Sequence, residues 1–133
     1  MIRGVDHIGI AVRSIDERLS LYRALGLQAD GEDVVPTEKV RVAFLPVGET
    51  RVELLEPTAP DSPVARFIER RGEGLHHICF KVADIRATMA ELAALGFELL
   101  SGEPKAGAHG SLVCFIHPRS AGGVLIELSQ PGR

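Results

Sequence analysis

Residues 74–78 read Gly-Leu-His-His-Ile, and residues 4–8 read Gly-Val-Asp-His-Ile. The offset of 70 residues continues beyond the histidines, where Gly26 aligns with Gly96. A shared period of this length covers a strand pattern and the helix pattern that follows it. The sequence therefore indicates two copies of one supersecondary unit.

Each copy also closes with a similar strand pattern. Residues 51–55 read Arg-Val-Glu-Leu-Leu, and residues 124–128 read Val-Leu-Ile-Glu-Leu. The offset is now 74 residues, because the second copy has longer turns. Each copy thus opens with a strand that carries a histidine and closes with a strand that carries a glutamate. The four residues are His7, Glu53, His77 and Glu127.

The pattern between these strands predicts a helix and further strands in each copy. Ser14 is a good N-cap and Glu17 completes a capping box, while Asp84 is the N-cap in the second copy. Strands are predicted near Gly31 and over residues 5–12, 40–45, 51–55, 75–82, 97–100, 112–116 and 124–128, with a turn at 46–49, a glycine-rich loop at 102–110 and a short helix after Ser62-Pro63.

These elements predict an α+β fold with tandem βαβββ repeats. We expect the repeats to pair into a cupped, barrel-like mixed sheet with helices outside, because each unit alone leaves a sheet edge and a concave face unfilled. The whole chain of 133 residues is then a single domain of two units, at about residues 3–57 and 73–130, joined by a short linker helix.

Composition excludes several classes of protein. An apolar fraction of 45% and a charged fraction of 25% are typical of globular proteins. A net charge of −3 argues against a nucleic-acid partner, and no apolar run is long enough to cross a membrane. No signal peptide is apparent, and Cys79 and Cys114 are too few for a disulfide framework. We therefore expect a cytoplasmic protein.

Two imidazoles and two carboxylates suit a divalent cation such as Zn²⁺, Ni²⁺, Co²⁺, Fe²⁺ or Mn²⁺. A lone strand histidine is more often a structural residue than a metal ligand. Here all four residues occupy equivalent positions of a repeat, on the strand face opposite the large aliphatic side chains. The repeat therefore predicts a metal site to which each copy contributes one histidine and one glutamate.

Other polar residues have simpler interpretations. His76 points away from the His77 face and is predicted to be structural, and His117 precedes a proline in a turn. His109 lies in a glycine-rich loop that could contact a ligand. Cys79 shares the His77 face, where it would line a cleft or serve as a thiolate ligand.

The repeated units with their histidines and glutamates resemble the vicinal-oxygen-chelate superfamily. This superfamily includes glyoxalase I, extradiol dioxygenases, antibiotic-resistance proteins and methylmalonyl-CoA epimerases. Further stretches, on strands and loops, are similar to the epimerases and extend the resemblance over essentially the whole chain, and the loops are the more telling part. The stretches are residues 6–12, 52–57, 62–67, 71–78, 107–110, 117–118 and 122–128.

The resemblance implies that His7, His77 and Glu127 are metal ligands, and that Glu53 stands where some epimerases have glutamine. It implies a divalent ion, with Co²⁺ favoured and Zn²⁺, Ni²⁺ or Mn²⁺ as alternatives. The implied partners are an acyl-CoA substrate and a second copy of the chain, with no nucleic acid and no membrane.

The implied reaction is epimerisation of (2R)- and (2S)-methylmalonyl-CoA through a metal-chelated enolate. Glu127 and Glu53 are the expected proton carriers, with Glu38 as an alternative to Glu53. Arg41 stands where some relatives have a catalytic glutamate. The alternative functions are a glyoxalase I-like lactoylglutathione lyase, a metal-dependent dioxygenase and a non-catalytic small-molecule-binding protein.

Overall fold

The computed structural model describes residues 2–132 and contains eight strands and three α-helices in that range. In chain order they are β1 (Ile2–Ala11), α1 (Ile15–Ala24), β2 (Gly31–Val35), β3 (Val40–Val47), β4 (Thr50–Pro57), α2 (Pro63–Arg71), β5 (Gly74–Val82), α3 (Ile85–Ala94), β6 (Lys105–Ala106), β7 (Leu112–Ile116) and β8 (Ile126–Gln130). This order is βαβββ twice with a helix between, which confirms the predicted α+β fold class. None of the helices among residues 2–132 is long and apolar enough to cross a membrane.

The chain folds as two compact units. The first unit comprises His7–His76, and the second comprises residues 2–6 together with residues 77–132. In the first unit the strand order is β2-β3-β4-β1, and in the second it is β5-β8-β7-β6. In each unit the first and last strands pair in parallel, while the remaining neighbours are antiparallel. That the two units form a single domain stays a prediction.

In the first unit, helices cover both faces of the sheet. Ile15 and Leu19 of α1 pack on one face against Leu54 and its neighbours. Val64 and Ile68 of α2 pack on the other face. The strand residues in contact with α1 are Ala43, Leu45 and Leu54, and those in contact with α2 are Ala11, Val40, Val42 and Leu55. The linker helix is therefore part of the core of this unit.

The second unit has one apolar cluster, which lies beneath α3, among the residues that the structure describes. Ile85 and Met89 of this helix pack against Val82, Cys114 and Leu128. Cys79 and Cys114 are both buried, and they form no disulfide within residues 2–132. The large aliphatic side chains of β5 and β8 thus lie on the helix side, as the alternating pattern predicts.

The two repeats end their helices in the same way. Gly26 has φ of 89° and Gly96 has φ of 90°, in the left-handed region that glycine adopts without strain. The backbone N–H of Leu27 then donates to the Tyr22 carbonyl at 2.9 Å. The equivalent bond from Phe97 to Leu92 is 3.0 Å. This hydrogen bond across five residues is the Schellman motif that a glycine at this position favours.

The helix N-termini are bonded to the ends of the closing strands. Ser14 and Asp84 cap α1 and α3 with their side chains, as predicted. In addition, the Ile15 N–H donates to Glu56 Oε1 at 2.8 Å. The Ile85 N–H donates to Gln130 Oε1 at 2.9 Å. Each closing strand therefore supplies a hydrogen-bond acceptor for an otherwise unsatisfied N–H of the helix.

The predicted strand at residues 97–100 is wrong. Only Leu99 forms a bridge there, to Ile116, and the short strand β6 lies instead within the predicted loop 102–110. The reason is that the Glu98 N–H donates to the Ser120 hydroxyl oxygen rather than to a neighbouring strand. The bonds on either side of the bridge do form, from the Leu100 N–H to the Phe115 carbonyl and from the His117 N–H to the Glu98 carbonyl. The ladder does not extend past Glu98, because its own N–H bonds to a side chain.

Several predicted strand boundaries also shift, and two of these shifts change a turn or the start of the last strand. The predicted turn at residues 46–49 is shorter, because β3 continues to Val47, which pairs with Thr50. The turn therefore consists of two residues, and Gly48 with φ of 59° provides the left-handed conformation that it needs. The last strand begins at Ile126 rather than at residue 124.

Glu73 joins the end of α2 to the start of α1 within the first unit. Its carboxylate accepts hydrogen bonds from the Arg13 backbone N–H at 2.7 Å and from Arg18 Nη2 at 2.6 Å. The Arg18 side chain, with the Arg13 N–H as the next contribution, lowers the pKa of the Glu73 carboxyl. The ionised carboxylate is thus the form that the fold stabilises.

We predict that Glu73→Gln lowers the melting temperature at pH 7 by about 2–4 °C. Because the folded-state pKa lies below the unfolded value of about 4.3, the network stabilises the fold above that pH. The contribution is lost as the pH falls through the lowered pKa. Thermal unfolding of both proteins between pH 3 and pH 7 measures this. Glu69→Gln, at an exposed position on α2, is the matched control. An equal difference at pH 3 and pH 7 would contradict the assignment.

Candidate metal centre

The first unit brings His7 and Glu53 together. Strands β1 and β4 pair in parallel with Gly9 opposite Glu53, so Glu53 lies on the face that carries His7. His7 Nδ1 is 3.4 Å from Glu53 Oε2. Both side chains are buried, with 6% and 8% of their surface exposed. The predicted pair therefore exists inside this unit.

The second unit repeats this geometry. Strands β5 and β8 pair in parallel with Cys79 opposite Glu127. His77 Nε2 is 3.3 Å from Glu127 Oε1, and both residues are buried. In both units the glutamate lies opposite the residue two positions after the histidine. The register, like the sequence, is duplicated.

Each pair fits half of a metal site. Two donor atoms on one Zn²⁺-like ion, at about 2.0–2.2 Å from it, lie about 3.0–3.5 Å apart. The nitrogen–oxygen separations of 3.4 Å and 3.3 Å fall in this range. Imidazole and carboxylate are also the ligands that borderline divalent cations accept. The donor chemistry and the spacing in each unit therefore suit such an ion.

Arg51 is a residue of this site that the sequence analysis missed. Its Nε donates to Glu53 Oε2 at 2.7 Å, and its guanidinium carbon lies 5.9 Å from the centre of the Phe44 ring. The spacing contained the signal, because a residue two positions before Glu53 on a strand lies on the same face. Glu53 is thus in contact with an imidazole and a guanidinium at once.

Arg41 does not occupy the position of a proton carrier beside Glu53. On β3, Phe44 pairs with Glu53 and Arg41 pairs with Glu56. Because side chains alternate along a strand, Arg41 lies on the α1 side of the sheet, where its Nη2 is 3.7 Å from Glu56 Oε2. The buried residue beside it on the Glu53 face is Val42. Arg41 therefore lies on the sheet face opposite to His7 and Glu53, and its correspondence to a glutamate of some relatives stays a prediction.

Glu38 is also poorly placed to replace Glu53. It lies in the exposed turn that precedes Val40, whereas Glu53 pairs with Phe44. From Val40 to Phe44 the strand advances by four residues, which amounts to about 13 Å along the sheet. Glu38 is too far along the sheet to act on a group held by His7 and Glu53.

The remaining histidines have surroundings that account for them without a role in the metal centre. The His76 ring packs edge-on against Phe67, with ring centres 5.0 Å apart. The His117 Nδ1 accepts from the Arg119 N–H at 3.0 Å, which confirms its role in a turn. His109 has φ of 56° and ψ of 37°, a left-handed conformation that kinks the chain at Ala108–Gly110. Cys79 is fully buried on the His77 face.

Cys114 lies in β7 on the other side of the second unit's sheet from Glu127. Burial is the main reason that the pKa of its thiol rises to about 11, and the negative charge of Glu127 raises it further. At neutral pH the thiol is therefore protonated. A protonated buried thiol is neither a nucleophile nor a metal ligand, so Cys114 belongs to the core.

Comparison with known proteins identifies the family. The model of the Glyoxalase/Bleomycin resistance protein/Dioxygenase superfamily matches residues 6–115. The chain is 42% identical over 128 residues to the uncharacterised protein YqjC of Bacillus subtilis, covering 96% of this chain and 91% of that protein. It is 41% identical over 133 residues to the ethylmalonyl-CoA/methylmalonyl-CoA epimerase of Cereibacter sphaeroides, covering 98% and 99% of the two.

Solved structures agree with these matches. A structure of methylmalonyl-CoA epimerase in complex with methylmalonyl-CoA and NH4+ has a TM-score of 0.91 to this chain at 37% identity, and the match covers 98% of this chain and 96% of that one. The resemblance predicted from the repeated strand patterns is thereby confirmed. The chain belongs to the glyoxalase/bleomycin resistance protein/dioxygenase superfamily, and its homologues there include proteins named methylmalonyl-CoA epimerase.

Proposed function

We propose that this chain is a metal-dependent epimerase of (2R)- and (2S)-methylmalonyl-CoA. The observation that carries the proposal is the duplicated, buried histidine–glutamate pair in a chain whose relatives are named for this reaction. Burying a carboxylate costs free energy unless a cation or hydrogen bonds compensate it. Two such pairs at equivalent positions are therefore better explained by a function than by stability.

The proposed metal ligands are His7, Glu53, His77 and Glu127. The proposal is supported by their donor chemistry and by the spacing within each pair. Co²⁺ is the favoured ion, with Zn²⁺, Ni²⁺ and Mn²⁺ as alternatives. The ion would supply Lewis-acid stabilisation of the negative charge that develops when the α-proton leaves the substrate. The localisation in the cytoplasm and the homodimer also stay predictions.

The two glutamates are the proposed proton carriers. The α-carbon of methylmalonyl-CoA lies between a thioester carbonyl and a carboxylate, and removal of its proton leaves an enolate whose negative charge must be stabilised for a carboxylate to act as the base. Inversion at that carbon needs a base on one face and an acid on the other. Glu127 supplies one carrier and Glu53 the other, one from each repeat. Neither Arg41 nor Glu38 is placed to replace Glu53.

A glyoxalase I-like lyase is the second candidate, and the specific observation that favours it is Glu53 itself. Two histidines and two glutamates are the ligand set that this family resemblance implies for glyoxalase I. That enzyme also moves a proton between adjacent carbons of a thiol adduct. The two candidates therefore differ in substrate rather than in the chemistry of the site.

The purified protein with Co²⁺ is expected to exchange the α-proton of methylmalonyl-CoA with solvent. It should turn over methylglyoxal with glutathione at a rate at least about 100-fold lower, because the substrate contacts differ. Deuterium incorporation followed by mass spectrometry measures the first activity, and formation of lactoylglutathione measures the second. Faster turnover of the glutathione adduct would instead establish the lyase.

The metal ligands are expected to act as one unit. We predict that His77→Ala and Glu127→Ala each weaken Co²⁺ binding by more than about 100-fold while the protein stays folded. Elemental analysis after gel filtration, with circular dichroism as the test of folding, measures this. His117→Ala, which removes a histidine from a turn, is the control and should keep full occupancy. Full occupancy in either ligand variant would show that the site is assigned wrongly.

Glu53→Gln separates the roles of ligand and proton carrier. The amide keeps an oxygen for the metal but cannot accept the proton. We predict that solvent deuterium is incorporated from one substrate epimer at about the normal rate and from the other about 100-fold or more slowly. Exchange measured separately on the two epimers decides this. Nearly normal rates for both hands would show that Glu53 is a ligand only.

A further inference from the structure

A guanidinium lies in contact with one of the two glutamates. Arg51 Nε donates to Glu53 Oε2 at 2.7 Å, and the same oxygen is 3.4 Å from His7 Nδ1. We propose that Arg51 is a positioning residue, which holds Glu53 so that this one oxygen faces His7. The inference rests on the proposed metal site and assigns a residue that controls its first half.

The contact has the geometry of a strong, directional hydrogen bond. At 2.7 Å it is in the short range that charge-assisted bonds between guanidinium and carboxylate adopt. A glutamate side chain otherwise has several rotamers, and each one moves its oxygens by some ångströms. Hydrogen bonds to ligand side chains generally fix ligand orientation and tune the metal. Arg51 therefore reduces the freedom of Glu53 to turn away from His7.

Arg51 is itself held in place. Its guanidinium carbon lies 5.9 Å from the centre of the Phe44 ring, within the range of a cation–π contact. Phe44 pairs with Glu53 across β3 and β4, and alternation places it on the face that Arg51 shares. Its ring is partly buried against the cluster beneath α2. The apolar core of the first unit thus supports the guanidinium, which supports the carboxylate.

The second half of the site lacks this residue. The position equivalent to Arg51, two residues before Glu127, is Leu125, which has no side-chain donor. The two histidine–glutamate pairs have nearly the same spacing, at 3.4 Å and 3.3 Å, but only the first has an arginine at this position. Arg51 therefore distinguishes two glutamates that the repeat makes otherwise equivalent.

The test compares Co²⁺ binding by the full chain and by Arg51→Met and Arg51→Lys. We expect Arg51→Met to weaken the affinity by about 10–100-fold and to shift the visible absorption bands of the bound Co²⁺, which report its ligand geometry. Lysine keeps the charge without the planar fork, so it should recover only part of the affinity. Competition titration against a chelator measures the affinity.

Arg41→Met is the matched control. Arg41 is on the same sheet and equally exposed, at 34% of its side chain against 31% for Arg51, but it lies on the opposite face. The affinity of the Arg41→Met variant for Co²⁺ should be within about twofold of that of the unaltered chain, with unchanged absorption bands, because Arg41 makes no contact with a proposed ligand. Equal weakening in Arg41→Met would mean a general effect of charge and would overturn the proposal.

The remaining outcomes are also decisive. A loss of less than about fivefold in Arg51→Met, with unchanged bands, overturns the role of Arg51 and leaves the proposed function intact. Should Arg51→Met fail to fold by circular dichroism, the same criterion applies to Arg51→Lys. If the unaltered chain binds no Co²⁺, the metal site itself is wrong, and the proposed function fails with it.

Discussion

The parallel pairing of the first and last strands is the constraint on which the site depends. In each unit it places a glutamate opposite the residue two positions after a histidine, at Gly9 in the first and Cys79 in the second. Because side chains alternate along a strand, a slip of one residue would move the carboxylate to the opposite face of the sheet, which packs under α1 in the first unit and under α3 in the second. There it would lie among aliphatic side chains without a partner, which is costly. The register therefore determines two things: that the carboxylate stays out of the apolar core, and that the histidine and the glutamate are in contact.

The helices help to hold that register. Glu56 follows Glu53 by three residues, and Gln130 follows Glu127 by three, so each lies on the opposite face from its preceding glutamate. Both accept a hydrogen bond from the first residue of the helix that packs there. The carboxylate of Glu56 also lies at the positive end of the α1 dipole, where negative charge is favourable. Each closing strand thus presents a glutamate to the histidine on one face and a hydrogen-bond acceptor to the helix on the other. Sliding the strand would break both contacts. This links the packing of the helix to the geometry of the site.

Much of this could be predicted because it depends on local spacing. The repeat identified the histidines and glutamates, and the caps at Ser14 and Asp84 fixed the helix starts. The features that could not be predicted depend on contacts between segments that are distant in the sequence. The apolar residues at 97–100 satisfy a strand pattern, but the Ser120 hydroxyl takes the backbone bond that a strand would need. The face of Arg41 follows from its register with β4, which the sequence does not display. Arg51 was missed for a different reason. Its spacing of two residues from Glu53 is visible in the sequence, but the hydrogen bond between the two side chains is not.

The differences between the two repeats matter for the proposed function as much as their similarity does. A duplicated site with identical halves would treat the two ends of a bound molecule alike. Under the proposed function the substrate is not symmetric, because one oxygen belongs to a thioester and the other to a carboxylate. The first half differs from the second through Arg51 in place of Leu125 and through a helix, α2, that packs on the same sheet face as Glu53. The added cation and the added packing both restrict Glu53. Under the proposed function, duplication would explain why the proposed ligands come in pairs, and the residues around Glu53 would allow the site to distinguish one side of its substrate from the other.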